Sequence, residues 1–307
     1  MSINRIVSLL PSATELLYEL GAEDMLYGVT HECKYPENAK TKLLVISSLI
    51  DSDTLTSKEI DAKTCKILSE GKEIFILHEK NMIEANPDFI ISQETCEACA
   101  AHNNHVARAI QILQKKPIIY SMDPHNLQEI TESVNEIGKI IGKEDRAKII
   151  TESLEERIKN VRNNTDKIRP KVLAIEWIEP FFSAGHWIPE MITYAGGKNM
   201  ISVTGEHSRK LSIEEIIESD PDIIIMMPCG FDVFRTMSEY NKILKNNKSW
   251  NTLRAVKTKQ VFTVDANSYF SKPSIRTITG LEILAKIIQP TNFLNLKVPK
   301  NSFEHII

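Results

Sequence analysis

Short apolar segments alternate with helical patterns along almost the whole chain, and this alternation constrains the fold more than any other feature. Continuous apolar runs are typical of strands that are buried on both faces of a parallel sheet. Strands that alternate with helices in this way form parallel α/β units. The pattern predicts strands at 5–10, 26–30, 74–78, 88–92, 117–121, 171–176, 222–227 and 260–264. Helices are predicted at 12–20, 56–71, 80–86, 103–114, 187–195, 212–219 and 274–288.

One long stretch, 126–166, interrupts the alternation because it contains no strand pattern. Apolar residues recur there every three or four positions on both sides of Gly142, which is typical of two amphipathic helices. A helix over 144–165 would be about 33 Å long at 1.5 Å per residue. We interpret this stretch as a helical connector between an N-terminal α/β lobe, 1–125, and a C-terminal α/β lobe with its tail, 167–307. The alternative is one more surface helix of a single sheet.

The second half of the chain repeats features of the first half in the same order. Each match is weak by itself, since Pro-Asp before a strand is common turn chemistry. Their common order favours two similar, Rossmann-like lobes with parallel sheets, joined by a single long backbone helix. The matched segments are 86–91 with 220–225, 117–123 with 260–265, and 21–26 with 197–201.

Composition and the start of the chain bear on the compartment and the partners. Hydrophobic residues make up 42%, charged residues 25%, and the net charge is −4, which gives no electrostatic footprint for nucleic acid. The apolar run after Arg5 is broken by Ser8 and stopped by Pro11, so it predicts a core strand rather than a signal peptide. Ser12 is predicted to cap the first helix. From the sequence as written we expect a cytoplasmic monomer that does not span a membrane. A periplasmic or extracellular location is expected only if the N-terminus of this sequence has been trimmed.

Four of the five cysteines follow predicted strands, where ligands of open α/β sheets bind. These are Cys33, Cys96, Cys99 and Cys229. They are candidate metal ligands, because four thiolates hold zinc or an iron–sulfur cluster. Unligated cleft thiols and a functional disulfide are the alternatives. Cys65 lies within a helical pattern and is predicted to be a core thiol.

Histidines, aromatic residues and polar side chains occur in the same loops after strands. Aromatic rings with polar tips suit the binding of a large planar ligand. The alternative is that these rings are part of the hydrophobic core of a lobe. The absence of G-x-G-x-x-G, Walker, G-x-S-x-G and H-E-x-x-H motifs argues against an enzyme. His102 and His105 are predicted to be helix-start or surface residues. The candidate ligand-binding residues are His31, Glu32, Tyr35, Gln93, Glu176, Trp177, His186, Trp187, Phe231, Asp265, Asn267 and Tyr269.

The opening segment, Arg5-Ile-Val-Ser-Leu-Leu-Pro-Ser-Ala-Thr-Glu15, resembles that of the class III solute-binding proteins, which serve ABC importers of vitamin B12, haem and iron–siderophore chelates. The resemblance spans residues 5 to 290 and includes segment 86–91, the mid-chain helix and segment 261–265. The chain is similar in particular to a subgroup labelled cobalamin-binding proteins, whose motifs match at 31–36, 96–100, 176–177, 185–187 and 227–232.

The resemblance implies two lobes joined by one rigid helix, with the ligand held in the cleft between them. It predicts a solute-binding protein for a metal chelate, with a corrinoid as the first candidate and an iron complex as the second, and an ABC importer as partner. A histidine or a thiolate would ligate the metal of the ligand. The competing hypothesis is a cytoplasmic metalloprotein in which the four cysteines hold an iron–sulfur cluster or zinc for a redox or catalytic role.

Overall fold

The computed structural model describes residues 3–93 and 103–306 and contains two sheets, each surrounded by helices. The strands are β1 Ile6–Ser8, β2 Leu26–Thr30, β3 Leu43–Ser48, β4 Phe75–Leu77, β5 Phe89–Gln93, β6 Ile118–Met122, β7 Lys171–Trp177, β8 Phe182–Ser183, β9 Lys198–Asn199, β10 Ile223–Met226, β11 Val261–Val264 and β12 Phe303–His305. The helices are α1 Pro11–Glu19, α2 Ser57–Ser69, α3 Glu79–Ala85, α4 Asn103–Ile112, α5 Leu127–Ile140, α6 Glu144–Asn163, α7 Ile188–Tyr194, α8 Ile213–Ser219, α9 Val233–Ile243, α10 Arg254–Lys257, α11 Ala266–Tyr269 and α12 Thr277–Ile288.

The chain divides into two compact units, and their segments interleave along the sequence. The first unit comprises Met1–Leu55, Ala62–Pro124 and Ile130–Glu152, as far as these ranges are described. The second comprises Thr56–Asp61, His125–Glu129 and Ser153–Ile307. Two short segments that lie within the N-terminal half of the sequence therefore belong to the second unit by their contacts.

The first sheet has the strand order β4-β3-β2-β1-β5-β6 and is parallel except at one edge. Its core includes Val7, Val45 and Ile90, all fully buried, as expected for strands covered on both faces. The sequence pattern missed β3, and the strand predicted at 74–78 is antiparallel to β3 rather than parallel. An apolar run indicates burial but does not encode strand direction, so the pattern could not distinguish a parallel strand from an antiparallel one.

The second sheet has the order β12-β11-β10-β7-β8, and β9 also pairs with β7. β7, β9, β10 and β11 are parallel, whereas β8 and β12 are antiparallel edge strands that the sequence pattern did not predict. The core centres on Trp250, which stacks on Phe181 at 5.6 Å between ring centroids and donates its indole N–H to Tyr240. The α/β class with two mainly parallel sheets is confirmed.

The helix α6, which the sequence predicts over 144–165, begins in the first unit and ends in the second. In the first unit, Arg146 near its start donates to the Glu19 carbonyl at 2.9 Å. In the second unit, Arg157 makes a two-bond ion pair with Glu282 at 2.7 and 2.9 Å. Bidentate pairs of this kind fix orientation as well as position. No helix in the described part of the chain is long and apolar enough to cross a membrane.

The repeated Pro-Asp motif has the same local geometry in both units. Asn86 and Asp220 each end a helix in the left-handed conformation, with φ of 42°. Two residues later, Asp88 accepts the Asn4 and Arg5 N–H groups with one carboxylate oxygen, and Asp222 accepts the Lys171 N–H likewise. The motif thus turns the chain out of a helix and fastens it to the start of a central strand.

Asp88 provides a test of this fastening. Burial raises the pKa of its carboxyl, but bonds from Lys115 and from the two backbone N–H groups outweigh burial and hold that pKa below its usual range. Asp88→Asn should therefore lower the free energy of unfolding by about 1–2 kcal/mol at pH 7. A lowered carboxyl pKa stabilises the fold above the unfolded pKa, and that contribution is lost as the pH falls through the folded pKa. In urea unfolding, the difference from wild type should shrink below about pH 4; a difference that is constant with pH would contradict this assignment.

Two local predictions from the sequence are wrong. α1 begins at Pro11 with Leu10 as the capping residue, so Ser12 lies inside the first turn and its hydroxyl caps nothing. Cys65 is exposed, because α2 half-buries the side of Ile60 and Ile67 and Cys65 lies off that stripe. His105 lies in the first turn of α4, which agrees with its prediction as a helix-start residue, but it is buried rather than at the surface and bonds to the Phe75 carbonyl at 3.0 Å. His102 lies outside the described residues.

Candidate functional site

The carboxyl edge of the second sheet brings several of the predicted ligand-binding residues together. β7 ends at Glu176 and Trp177, and the loop after β10 lies directly beside it. The Cys229 N–H donates to the Glu176 carbonyl at 3.0 Å, so backbone bonding fixes this loop against the end of β7. Cys229 is half-buried there. The carboxyl ends of parallel strands are where open α/β sheets bind ligands.

An aromatic platform occupies this edge and consists of Trp177, Phe231 and Arg235. The ring centroids of Trp177 and Phe231 are 5.4 Å apart with an interplanar angle of 59°. The Arg235 guanidinium lies 3.6 Å from the centroid of the Phe231 ring, a cation–π contact. Phe231 is buried, whereas Trp177 is half-buried and leaves part of its indole in solvent. The exposed part of this platform is therefore the Trp177 indole, which packs against the buried Phe231 ring and, through it, against the Arg235 guanidinium.

The loop that follows β11 borders the platform. The Asn267 N–H donates to the Phe231 carbonyl at 3.0 Å, which joins the two loops. Asp265 accepts the Ser268 N–H at 3.0 Å, so its carboxylate caps the short helix α11. Tyr269 is half-buried at the end of that helix, and the Arg276 guanidinium lies 5.6 Å from its ring centroid. A second aromatic–arginine pair therefore follows the next strand of the sheet.

The indole of Trp177 has a partner that the sequence did not indicate. Its N–H donates to the carbonyl of Ser57 at 3.2 Å, and the Ser57 N–H donates to the Glu239 carboxylate at 2.5 Å. Ser57 and Glu239 are 182 residues apart in sequence. Arg235 and Glu239 lie four residues apart on α9, a spacing that places both on one helix face; this periodicity was the one signal that could have pointed to them.

His186 and Trp187 do not join the platform. Trp187 is 4% exposed, and its indole N–H donates to the Phe270 carbonyl at 3.2 Å, so its ring lies in the core. His186 adopts a left-handed backbone with φ of 53°. Its N–H and C=O bond to Glu206 and Gly205 at 2.7 and 2.9 Å, and its ring lies 5.1 Å from that of His207.

In the first unit, His31 and Glu32 follow β2 as predicted. Burial lowers the pKa of His31, and the opposing effect of the Glu32 carboxylate, 3.5 Å from the imidazole Nε2, does not compensate. The imidazole is therefore neutral near pH 7, the form that can bind a metal. Its Nδ1 is buried and has no hydrogen-bond partner among the residues that the structure describes. Tyr35 is exposed, and Gln93 is half-buried at the end of β5.

The predicted thiol site gains no support. Cys33 is 1% exposed, and its Sγ accepts a hydrogen bond from the Thr14 hydroxyl of the same unit at 3.0 Å. The Thr30 hydroxyl lies 3.4 Å from the same sulfur. Cys96 and Cys99 lie outside the described residues. Across 3–93 and 103–306, no group of three or more His, Cys, Asp or Glu side chains is arranged to hold a metal ion. The described residues therefore give no support to the alternative of an iron–sulfur or zinc protein.

The structure consists of two mainly parallel α/β units that are linked by the long helix α6. The chain belongs to the periplasmic binding protein family, whose sequence profile matches residues 6–268. It is similar to the uncharacterized ABC transporter substrate-binding lipoprotein YvrC of Bacillus subtilis, with 25% identity over 300 residues that cover 94% of this chain and 81% of the relative. It is also similar to the vitamin B12-binding protein of Yersinia pestis, with 23% identity over 72% of this chain and 69% of that protein.

Solved structures show the same fold. The periplasmic vitamin B12 binding protein BtuF of Vibrio cholerae has a TM-score of 0.69 and 19% identity, covering 94% of this chain and 97% of that chain. A periplasmic haem binding protein from Pseudomonas aeruginosa has a TM-score of 0.71 and 16% identity, covering 94% of each. The resemblance to class III solute-binding proteins is confirmed.

Two functional predictions are settled by these relatives. The relatives are substrate-binding proteins, which confirms that the chain is not an enzyme. The prediction of a cytoplasmic protein is wrong, because the family and its members are periplasmic proteins or substrate-binding lipoproteins. The physical reason is that a buried strand such as β1 has the same apolar sequence in either compartment, so it carries no information about location.

Proposed function

We propose that this protein is the solute-binding component of an ABC importer for a metal chelate, with a corrinoid as the first candidate ligand. The observation that carries the proposal is the platform of Trp177 and Phe231 at the carboxyl edge of the second sheet, backed by Arg235. The names of the relatives support the ligand class, since they include vitamin B12 and haem binding proteins.

The chemistry of the platform suits a large ring with a polar perimeter. A half-buried indole offers a flat apolar face, and such faces contribute binding energy through the apolar area that they remove from water. Glu176 precedes Trp177 in the chain, and Asn267 and Tyr269 lie in the loop that is bonded to Phe231. Their polar groups can accept or donate hydrogen bonds to ligand side chains. Binding sites of this kind combine apolar walls with a few polar groups that fix orientation.

Residues of the first unit are candidates for binding the metal of the ligand. His31 presents a neutral imidazole whose buried Nδ1 has no hydrogen-bond partner in the described part of the chain. Neutral imidazole is a common ligand of cobalt and iron as well as zinc. The Glu32 carboxylate lies 3.5 Å from His31, and Tyr35 and Gln93 are further polar residues of the first unit that the sequence predicts to bind ligand.

The test is a titration of purified protein with cyanocobalamin, haemin and a ferric siderophore in separate experiments, followed by visible absorption and calorimetry. The proposal expects one of these chelates to bind with 1:1 stoichiometry and a Kd of about 1 µM or lower, corresponding to about −8 kcal/mol. Free cobalt, iron and zinc ions serve as controls. Absence of binding by every chelate, or binding of the free ions alone, would contradict the proposal.

A further inference from the structure

We infer that Glu239 is a positioning residue for ligand binding, which sets the orientation of the Trp177 indole through the first turn of α2. The inference rests on the proposed function, because it takes the Trp177 ring as the surface against which the chelate lies. It concerns a residue whose carboxylate bonds to Ser57 rather than to the indole.

Ser57 connects Glu239 to Trp177 through its own backbone. Its N–H donates to Glu239 Oε1 at 2.5 Å, and its carbonyl accepts the Trp177 indole N–H at 3.2 Å. Glu239 is 5% exposed, so the first of these bonds is shielded from water and strengthened by the low local dielectric. Because an indole has a single donor, the position of the Ser57 carbonyl decides which way the ring turns.

The helix α9 holds the indole from a second direction. Arg235 lies one helical turn before Glu239 and therefore on the same face of α9. Its guanidinium lies 3.6 Å from the Phe231 centroid, and the Phe231 ring lies 5.4 Å from that of Trp177. One rigid element thus fixes the N–H edge of the indole through Ser57 and one of its neighbouring rings through Phe231.

The bond from Glu239 is not needed to start α2, which is capped locally. The Thr56 N–H and hydroxyl both donate to the Glu59 carboxylate, at 2.9 and 2.8 Å, and the Glu59 N–H lies 3.3 Å from the Thr56 hydroxyl. This reciprocal arrangement is a complete capping box. The bond between Glu239 and Ser57 therefore determines where the first turn lies rather than whether it forms.

The arrangement also carries an energetic cost that capping alone would not justify. The second carboxylate oxygen of Glu239 is buried without a hydrogen-bond partner, and so is the Ser57 hydroxyl, among the residues that the structure describes. A buried polar group without a partner destabilises a fold, because its bonds to water are lost and not replaced. We expect buried groups that are kept in spite of this cost to serve a function.

The experiment compares chelate affinity and iodide quenching of tryptophan fluorescence in wild type and variants. Trp187 and Trp250 are buried and Trp177 is half-buried, so iodide reports on Trp177. Glu239→Leu should raise Kd about 10-fold and increase quenching of the free protein, whereas Glu239→Gln, which keeps an acceptor, should stay within about 3-fold of wild type. Ser57→Pro removes the N–H together with the hydroxyl, at a position where proline suits a helix start, and it should act like Glu239→Leu. Ser57→Ala, which removes the hydroxyl alone, should stay close to wild type. Glu179→Gln, which breaks the exposed pair of Glu179 with Lys58, is the matched control and should change neither readout.

The outcomes separate this inference from the proposed function. If wild type binds its chelate but Glu239→Leu and Ser57→Pro leave Kd or quenching unchanged, Glu239 is not a positioning residue. If Glu239→Gln loses as much affinity as Glu239→Leu, the acceptor role assigned to the carboxylate is also overturned. If wild type binds no chelate, the proposed function itself fails and this inference fails with it.

Discussion

Gly185→Ala should lower the free energy of unfolding by about 3 kcal/mol, the upper part of the usual range for overpacking. A Cβ at position 185 would lie 2.5 Å from the Ser208 nitrogen and 2.6 Å from the Glu206 oxygen. Both atoms belong to the backbone, so the loop must move, and the bonds that His186 makes with Gly205 and Glu206 would break. Denaturant unfolding measures the loss of stability, and hydrogen exchange at the Gly205 amide measures release of the loop.

Gly71→Ala is the matched control for this prediction. Gly71 has a φ of 67° and no atom within 4 Å of the position that a Cβ would take. Its replacement should therefore cost only the strain of a left-handed alanine, about 1 kcal/mol. Equal losses for the two variants would show that the close approach of the loop at Gly185 is not the cause.

Trp177→Ala should raise the Kd for the chelate by about 30-fold or more, equivalent to about 2 kcal/mol. The reason is that this half-buried indole supplies the exposed face of the platform, and alanine leaves no flat surface in front of Phe231. The affinity is measured by calorimetry, with circular dichroism to establish that the variant is folded. A Kd within threefold of wild type would place the ligand elsewhere.

Trp187→Phe is the contrasting variant. It removes the indole N–H that bonds to the Phe270 carbonyl in the core, so we expect a loss of about 1 kcal/mol in stability. Affinity for the chelate should not change, because the buried ring offers no surface to a ligand. A large loss of affinity in this variant would mean that the sequence-based assignment of Trp187 to the ligand was right.

The sequence predicted the sheets better than their edges. Continuous apolar runs correctly indicated β1, β2, β5, β6, β7, β10 and β11, because burial on both faces leaves a strong signal. The edge strands β8 and β12 are short and partly exposed, so they left none. The repeat was also off by one residue: Gly21 and Gly196, rather than Gly197, are the positions with positive φ that end α1 and α7.

The site was only partly visible in the sequence for a different reason. Loops after parallel strands meet at one edge, so Glu176, Cys229 and Phe231 could be grouped before the structure was known. Burial of Trp187 and the connection of Trp177 to Glu239 depend on long-range packing, which neither spacing nor composition encodes. An aromatic residue beside a strand end is equally compatible with core and with ligand contact, and only coordinates distinguish them.

The central claim, that a metal chelate lies against Trp177, is tested most directly by hydroxyl-radical footprinting with and without saturating chelate, read residue by residue by mass spectrometry. Trp177 is half-buried and open to oxidation in the free protein, whereas Trp187 and Trp250 are buried and serve as internal references. We expect the chelate to protect the Trp177 side chain strongly while oxidation of the two references stays the same. An unchanged oxidation rate of Trp177 at saturating chelate would contradict the claim.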